Sequence, residues 1–208
     1  LTHMAATKRQ ARFKAEAVQA EIEALAAGGG IDDKTIYSFT INFDPNQAEF
    51  PAAKYQKEYD RAIEMAGKHG GAVLAVRGHS DPTMVLATLS KAGMETGALK
   101  RTGSPGSFQY SLNGRPLNLD SAPEVARAVE SGAFDHSRNY NPREVLQAAR
   151  TLSLDRANAV RNSILEYAAR GKKRVDPSQI QPQGVGVAEP FIATPRSDVV
   201  VRFPTNAR

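Results

Sequence analysis

Cysteine and tryptophan are absent from this sequence and aromatic residues make up only 7% of it. Long apolar runs are missing as well: no stretch approaches the roughly 20 consecutive apolar residues that a membrane-spanning helix requires. Without cysteine there is no disulfide framework, no thiolate metal site and no cysteine nucleophile, although the compartment stays open. The scarcity of aromatics, with no basic run interleaved among them, argues against a base-stacking surface and places nucleic acid low among partners. An apolar leader is lacking too. Residues 1–30, LTHMAATKRQARFKAEAVQAEIEALAAGGG, are charged and helix-forming where a secretory segment is apolar. The expectation is therefore no signal peptide in the chain as given, with Leu1 to Met4 reading as a cloning remnant; a mature or truncated exported protein looks the same. His3, His69, His79 and His136 show no metal-ligand spacing, and no metal or cofactor is expected.

What is present is 208 residues with 41% hydrophobic and 24% charged side chains, ordinary for a globular chain and enough for one domain with a sizeable insert. Lysine and arginine outnumber acids by 27 to 22, giving a net charge of +5. That balance favours an anionic partner: nucleic acid, acidic lipid or a carboxylate-rich cell wall.

Residues 5–27 read as one amphipathic or exposed helix, packed against the domain edge and stopped by the glycines at 28–30. TIYSFTINF at 35–43 alternates, with Tyr37, Phe39, Ile41 and Phe43 on one face, so it predicts a half-buried strand. Tyr55, Tyr59, Ala62, Ile63 and Ala66 follow at helical spacing, and AVLAV at 72–76 is a short apolar run suited to a central strand. Strand, helix, strand in that order predicts a right-handed βαβ unit. A long helix is expected from about Pro142 to Ala169, then a short strand near QPQGVGVAEP and a final strand at SDVVVRF. Between them, residues 83–141 do not fit a simple crossover. They read as an insert: a helix from Met84 to Ala92, a basic glycine-rich loop GALKRTGSPGS, a hairpin turning at Asn113 and Gly114, and a helix opening near Asp120. The predicted fold class is α/β, an α+β sandwich with a small mixed sheet, an N-terminal helix and linker over 1–34 and one domain over 35–208.

VRGHSDPT at 76–83 crowds polar groups at a strand end, the place where open α/β sheets put ligands. Asp81 is a binding candidate there, with helix capping as its structural alternative. Arg156 lies on the same side of its helix as Leu152 and Ala149, where a charge needs a carboxylate or a ligand; a salt bridge, with Asp81 itself among its partners, is the structural alternative. His79 and Ser80 invite a hydrolase reading, but three consecutive residues on a strand end point different ways and do not build a nucleophile relay.

FTINFDPNQAEF, VRGHSDPT, LSLDRANAVRNSIL and GVGVAEP occur in the order seen in the OmpA-like (OmpA/MotB C-terminal) peptidoglycan-binding domains, and the chain resembles that family from about Thr35 to Phe203. The resemblance implies a βαβαβ-type domain that holds diaminopimelate of the cell-wall stem peptide noncovalently. The family's ligand-holding aspartate and arginine match Asp81 and Arg156. One guanidinium and one carboxylate suit the zwitterionic end of that amino acid. Gly78 is expected to permit close backbone approach, Ser80 to act as a secondary donor, and His79 to share the ligand-facing strand end. The sequence departs from the family pattern at Ala149, where an asparagine is usual, at Ser197 and Asp198, where N-R-R-V is usual, and at Pro82, which leads straight into the insert. The implied role is periplasmic anchoring of an outer-membrane or other membrane-anchored envelope protein to the wall, without catalysis. The alternative is a protein-interaction module whose insert is the binding surface; a wall-cleaving or wall-modifying enzyme is a third class.

Overall fold

A computed structural model describes residues 35–70, 72–187 and 196–203. The helix expected over 5–27 and the last three residues of GVGVAEP lie outside the described residues.

The first strand, β1 (Thr35–Asn42), continues into Phe43, and its alternation holds: Ile41 and Phe43 are buried while Thr40 and Asn42 are exposed. A 3-10 turn (Ala52–Tyr55) leads into α1 (Gln56–Lys68), which buries Tyr59, Ala62, Ile63 and Ala66 along one stripe. Then comes β2 (Val73–Gly78), buried at every residue. The long helix α4 (Pro142–Arg170) starts with Asn141 as its cap, the side-chain oxygen accepting from Glu144 N at 3.1 Å, and with Pro142 at the first turn. β6 (Ile180–Gly184) and β7 (Arg196–Arg202) complete a four-stranded sheet in the order β1-β7-β2-β6. β7 runs antiparallel to both its neighbours, and β2 and β6 are parallel. The expected βαβ unit is thus split, β7 lying between its two strands. Both α1 and α4 pack on one face of this sheet, against Ile41, Leu74, Val76, Ile180, Val199 and Val201.

Residues 83–141 build a second sheet and a second core. The helix α2 (Thr83–Thr96) is longer than the sequence suggests and ends at Gly97, whose φ of 72° is the left-handed conformation that closes helices. The basic loop contains a strand, β3 (Leu99–Thr102), which pairs with β4 (Gln109–Leu112), and β4 pairs with β5 (Arg115–Leu117). The β4–β5 turn falls at Asn113 and Gly114 as expected, both with positive φ. The last element of the segment is α3 (Ala122–Glu130). Val85, Leu89, Leu99, Val125, Val129 and Phe134 form the second core, closed by Leu146 of α4. The fold class is therefore an α/β sandwich, a mixed sheet with helices plus a small antiparallel sheet. Among the described residues no helix is long and apolar enough to cross a membrane.

Candidate functional site

The carboxyl end of β2 meets the middle of α4 more closely than any side chain allows. A Cβ on Gly78 would stand 1.8 Å from the Ser153 carbonyl oxygen, and one on Gly184 would stand 2.6 Å from Leu154 N. These two glycines are register partners on neighbouring strands, so together they form a trough for the helix backbone. Polar groups then fasten the junction. Ser153 Oγ donates to Arg150 O at 2.7 Å and accepts from Gly186 N at 2.8 Å. Ser80 N donates to Gly186 O at 2.8 Å, and Ser80 Oγ donates to Ala149 O at 2.7 Å. The close backbone approach expected at Gly78 is thus made by α4, and the Ser80 hydroxyl is held by the position where the family pattern has asparagine.

Arg156 is only 1% exposed. Its guanidinium donates from Nε to Gln47 O at 2.7 Å, from Nη1 to His79 O at 2.7 Å and from Nη2 to Asp44 O at 3.4 Å, and it lies 5.2 Å from the centre of the Phe43 ring. Burial pushes its pKa down, an effect that the charge of Asp81 opposes. The group stays protonated because arginine titrates far above neutrality. Asp81 Oδ1 accepts from Thr83 N at 2.8 Å and from the Thr83 hydroxyl at 2.6 Å, so this carboxylate caps the start of α2. Arg156 and Asp81 therefore feel each other's charge without forming the direct ion pair weighed for them, and both line one cleft of about 460 Å³. Its other walls include Pro45, Asn46, Ser80, Met84, Glu144 and Leu152. The structure thus brings three of the five expected residues, Ser80, Asp81 and Arg156, to a common cavity.

His79 turns elsewhere. Its backbone carbonyl holds Arg156, while its Nε2 lies 3.1 Å from Asp198 Oδ2. Asp198 also accepts from the Thr40 hydroxyl at 2.8 Å and pairs with Arg196 at 3.2 Å. Burial works against ionising Asp198, but the His79 and Thr40 contacts and the nearby cations outweigh it and hold the carboxyl below the usual aspartate range. In the sequence Ser197 and Asp198 stand only as departures from a pattern. Period-two alternation was the available signal: it sets Arg196 and Asp198 on one face of β7 and Ser197 and Val199 on the other. Glu144 in the cleft wall had no comparable signal. Among the described residues no group of three or more His, Cys, Asp or Glu is placed to hold a metal ion.

No protein-family profile matches the chain, and no curated protein matches it. Among solved structures it is similar to an outer membrane protein from Borrelia burgdorferi B31, at 16% identity and a TM-score of 0.40, over 83% of this chain and 94% of that one.

Proposed function

We propose that the cleft at the end of β2 binds peptidoglycan noncovalently, through the diaminopimelate of a stem peptide, and thereby anchors an envelope protein to the wall from the periplasmic side. The observation that supports this reading is the placing of a buried guanidinium and a carboxylate, Arg156 and Asp81, in one cavity. A guanidinium has five N–H donors. Three are taken by the carbonyls of Gln47, His79 and Asp44, which leaves one on Nη1 and one on Nη2 for a carboxylate. The three carbonyls fix the orientation of the fork before any ligand arrives, so little side-chain entropy is lost on binding. Asp81 supplies the acceptor for an ammonium. The reading is one of recognition without bond making or breaking.

Co-sedimentation with diaminopimelate-type sacculi tests it. Asp81→Asn keeps an oxygen for the Thr83 cap and removes the charge. Loss of one charge-assisted bond of about 1.5–3 kcal/mol should weaken pelleting roughly tenfold or more. Arg156→Lys should weaken it too, once folding is verified, because an ammonium lacks the planar fork. A wild-type chain that stays in the supernatant, or an Asp81→Asn variant that pellets like wild type, overturns the proposal.

A second reading, binding of a protein through residues 83–141, has its own observation: Met84 and Met94 on α2 are 61% and 52% exposed, apolar surface of the kind interfaces use. Wild-type behaviour of Asp81→Asn together with loss of envelope association in Met94→Glu would favour it.

A further inference from the structure

Among the described residues helices cover one face of the four-stranded sheet, since α1 and α4 both pack on the side of Leu74, Val76, Val199 and Val201. Its second face is nevertheless buried. Val73 is 1% exposed, Ala75 2%, Arg77 5%, Val200 6% and Arg202 5%, and the register places all five on the side away from α1 and α4. The buried strip follows β2 and β7. Toward the edges it fades: Thr40 on β1 is exposed, and Gln181 and Gln183 on β6 are only partly covered. Two adjacent strands span about 10 Å, the diameter of one helix, and the six residues of β2 run for about 20 Å, so the footprint is that of a single helix of about 14 residues or more.

We infer that this strip is a docking face whose occupant is the chain's own N-terminal segment, laid along β2 and β7 through the stripe Ala11, Ala15, Val18, Ile22 and Leu25. Three features select it. First, length: 34 residues precede β1, more than twice what the footprint needs. Second, pattern: those five positions recur at steps of three and four, one face of a helix. Third, charge complementarity: the strip carries the guanidinium groups of Arg77 and Arg202, and Glu21 flanks the stripe with Glu16 and Glu23 further round. The inference is independent of the ligand assigned to the cleft.

The absence of native cysteine allows a direct test on the full chain. Ala75→Cys places one thiol under the strip, and Val76→Cys places one in the opposite core as a reporter of global opening. The Ala75→Cys thiol should react slowly with a soluble thiol reagent, and adding Ile22→Glu should speed it by about tenfold or more while Val76→Cys stays slow. An Ala75→Cys rate that Ile22→Glu does not change overturns the inference. So does protection that grows with protein concentration, which would assign the face to a second copy.

Discussion

The two halves of α4 pack by opposite rules. From Ser153 onward the helix lies on the main sheet with its backbone against the glycines of β2 and β6, and the contact is completed by buried polar groups: the Ser153 hydroxyl and the Arg156 fork. Before Ser153 it closes the second core with ordinary side chains, Leu146 above all; the Ser80 hydroxyl reaches back to Ala149 O, and the ion pairs there, Arg143 with Asp135 and Arg150 with Glu130, are half-exposed. Gly93 on α2 is the nearest equivalent in that second region, and what crowds it are the side chains of Leu99 and Phe134. One region is specified by what must be absent, the other by what must be present. The candidate site sits at the first kind of junction, where the backbone is held most firmly and a buried arginine can be kept in place.

That contrast breaks in opposite directions under substitution. In the first region adding one methyl is the damaging change. Gly78→Ala sets a carbon 1.8 Å from a helix carbonyl, and neither strand nor helix can yield without disturbing the other. The expected cost exceeds about 4 kcal/mol, near the whole stability of many domains, and shows as loss of the cooperative urea transition. A variant that unfolds within about 1 kcal/mol of wild type would mean that the trough is looser than its geometry. In the second region removing carbon is the damaging change. Leu89→Ala, at a fully buried position, should cost about 2–4 kcal/mol and leave the chain folded, with the sheets and the cleft intact. Urea midpoints measured side by side rank the two; Leu89→Ala proving the costlier would reverse the comparison.

The same division explains what the sequence disclosed. VRGHSDPT is conspicuous for polar groups crowded at a strand end and LSLDRA for an arginine on the apolar side of its helix, and these two stretches meet where Gly78 and Gly184 lie against the backbone of Ser153 and Leu154. The start of α4 was legible from Asn141 and Pro142, since a cap and a proline mark a helix N-terminus by local chemistry. By contrast, nothing in the sequence marks β3 as a strand, since in LKRT only Leu99 is buried and no alternation runs through it. The placement of β7 between β1 and β2 is a pairing across the whole chain that no local pattern encodes. The partners of Arg156 were hidden for another reason: all three are backbone carbonyls, and side-chain identity says nothing about which carbonyl faces a guanidinium.

The smallest expected effect concerns acid. Both regions carry carboxylate pairs, but Asp135 and Glu130 are about half exposed, whereas Asp198 is largely covered and shared by His79, Thr40 and Arg196. Solvent-exposed pairs contribute about 0–1 kcal/mol. The Asp198 carboxyl titrates below its ordinary range in the folded chain, so the sign is fixed: the folded state binds its proton less readily than the unfolded state does. Its stabilisation is complete above the usual aspartate value near 4 and fades as the pH falls through the lower, folded value. Asp198→Asn should therefore lower the urea midpoint at neutral pH by the equivalent of about 1 kcal/mol, and the gap to wild type should close as the pH falls below the usual aspartate value. Asp135→Asn, which breaks a half-exposed pair, should open almost no gap at neutral pH. Equal and pH-independent losses in the two variants would show that the sheet end and the half-exposed rim hold their charges alike, and that the firmness of the first region comes from its glycines and buried hydrogen bonds alone.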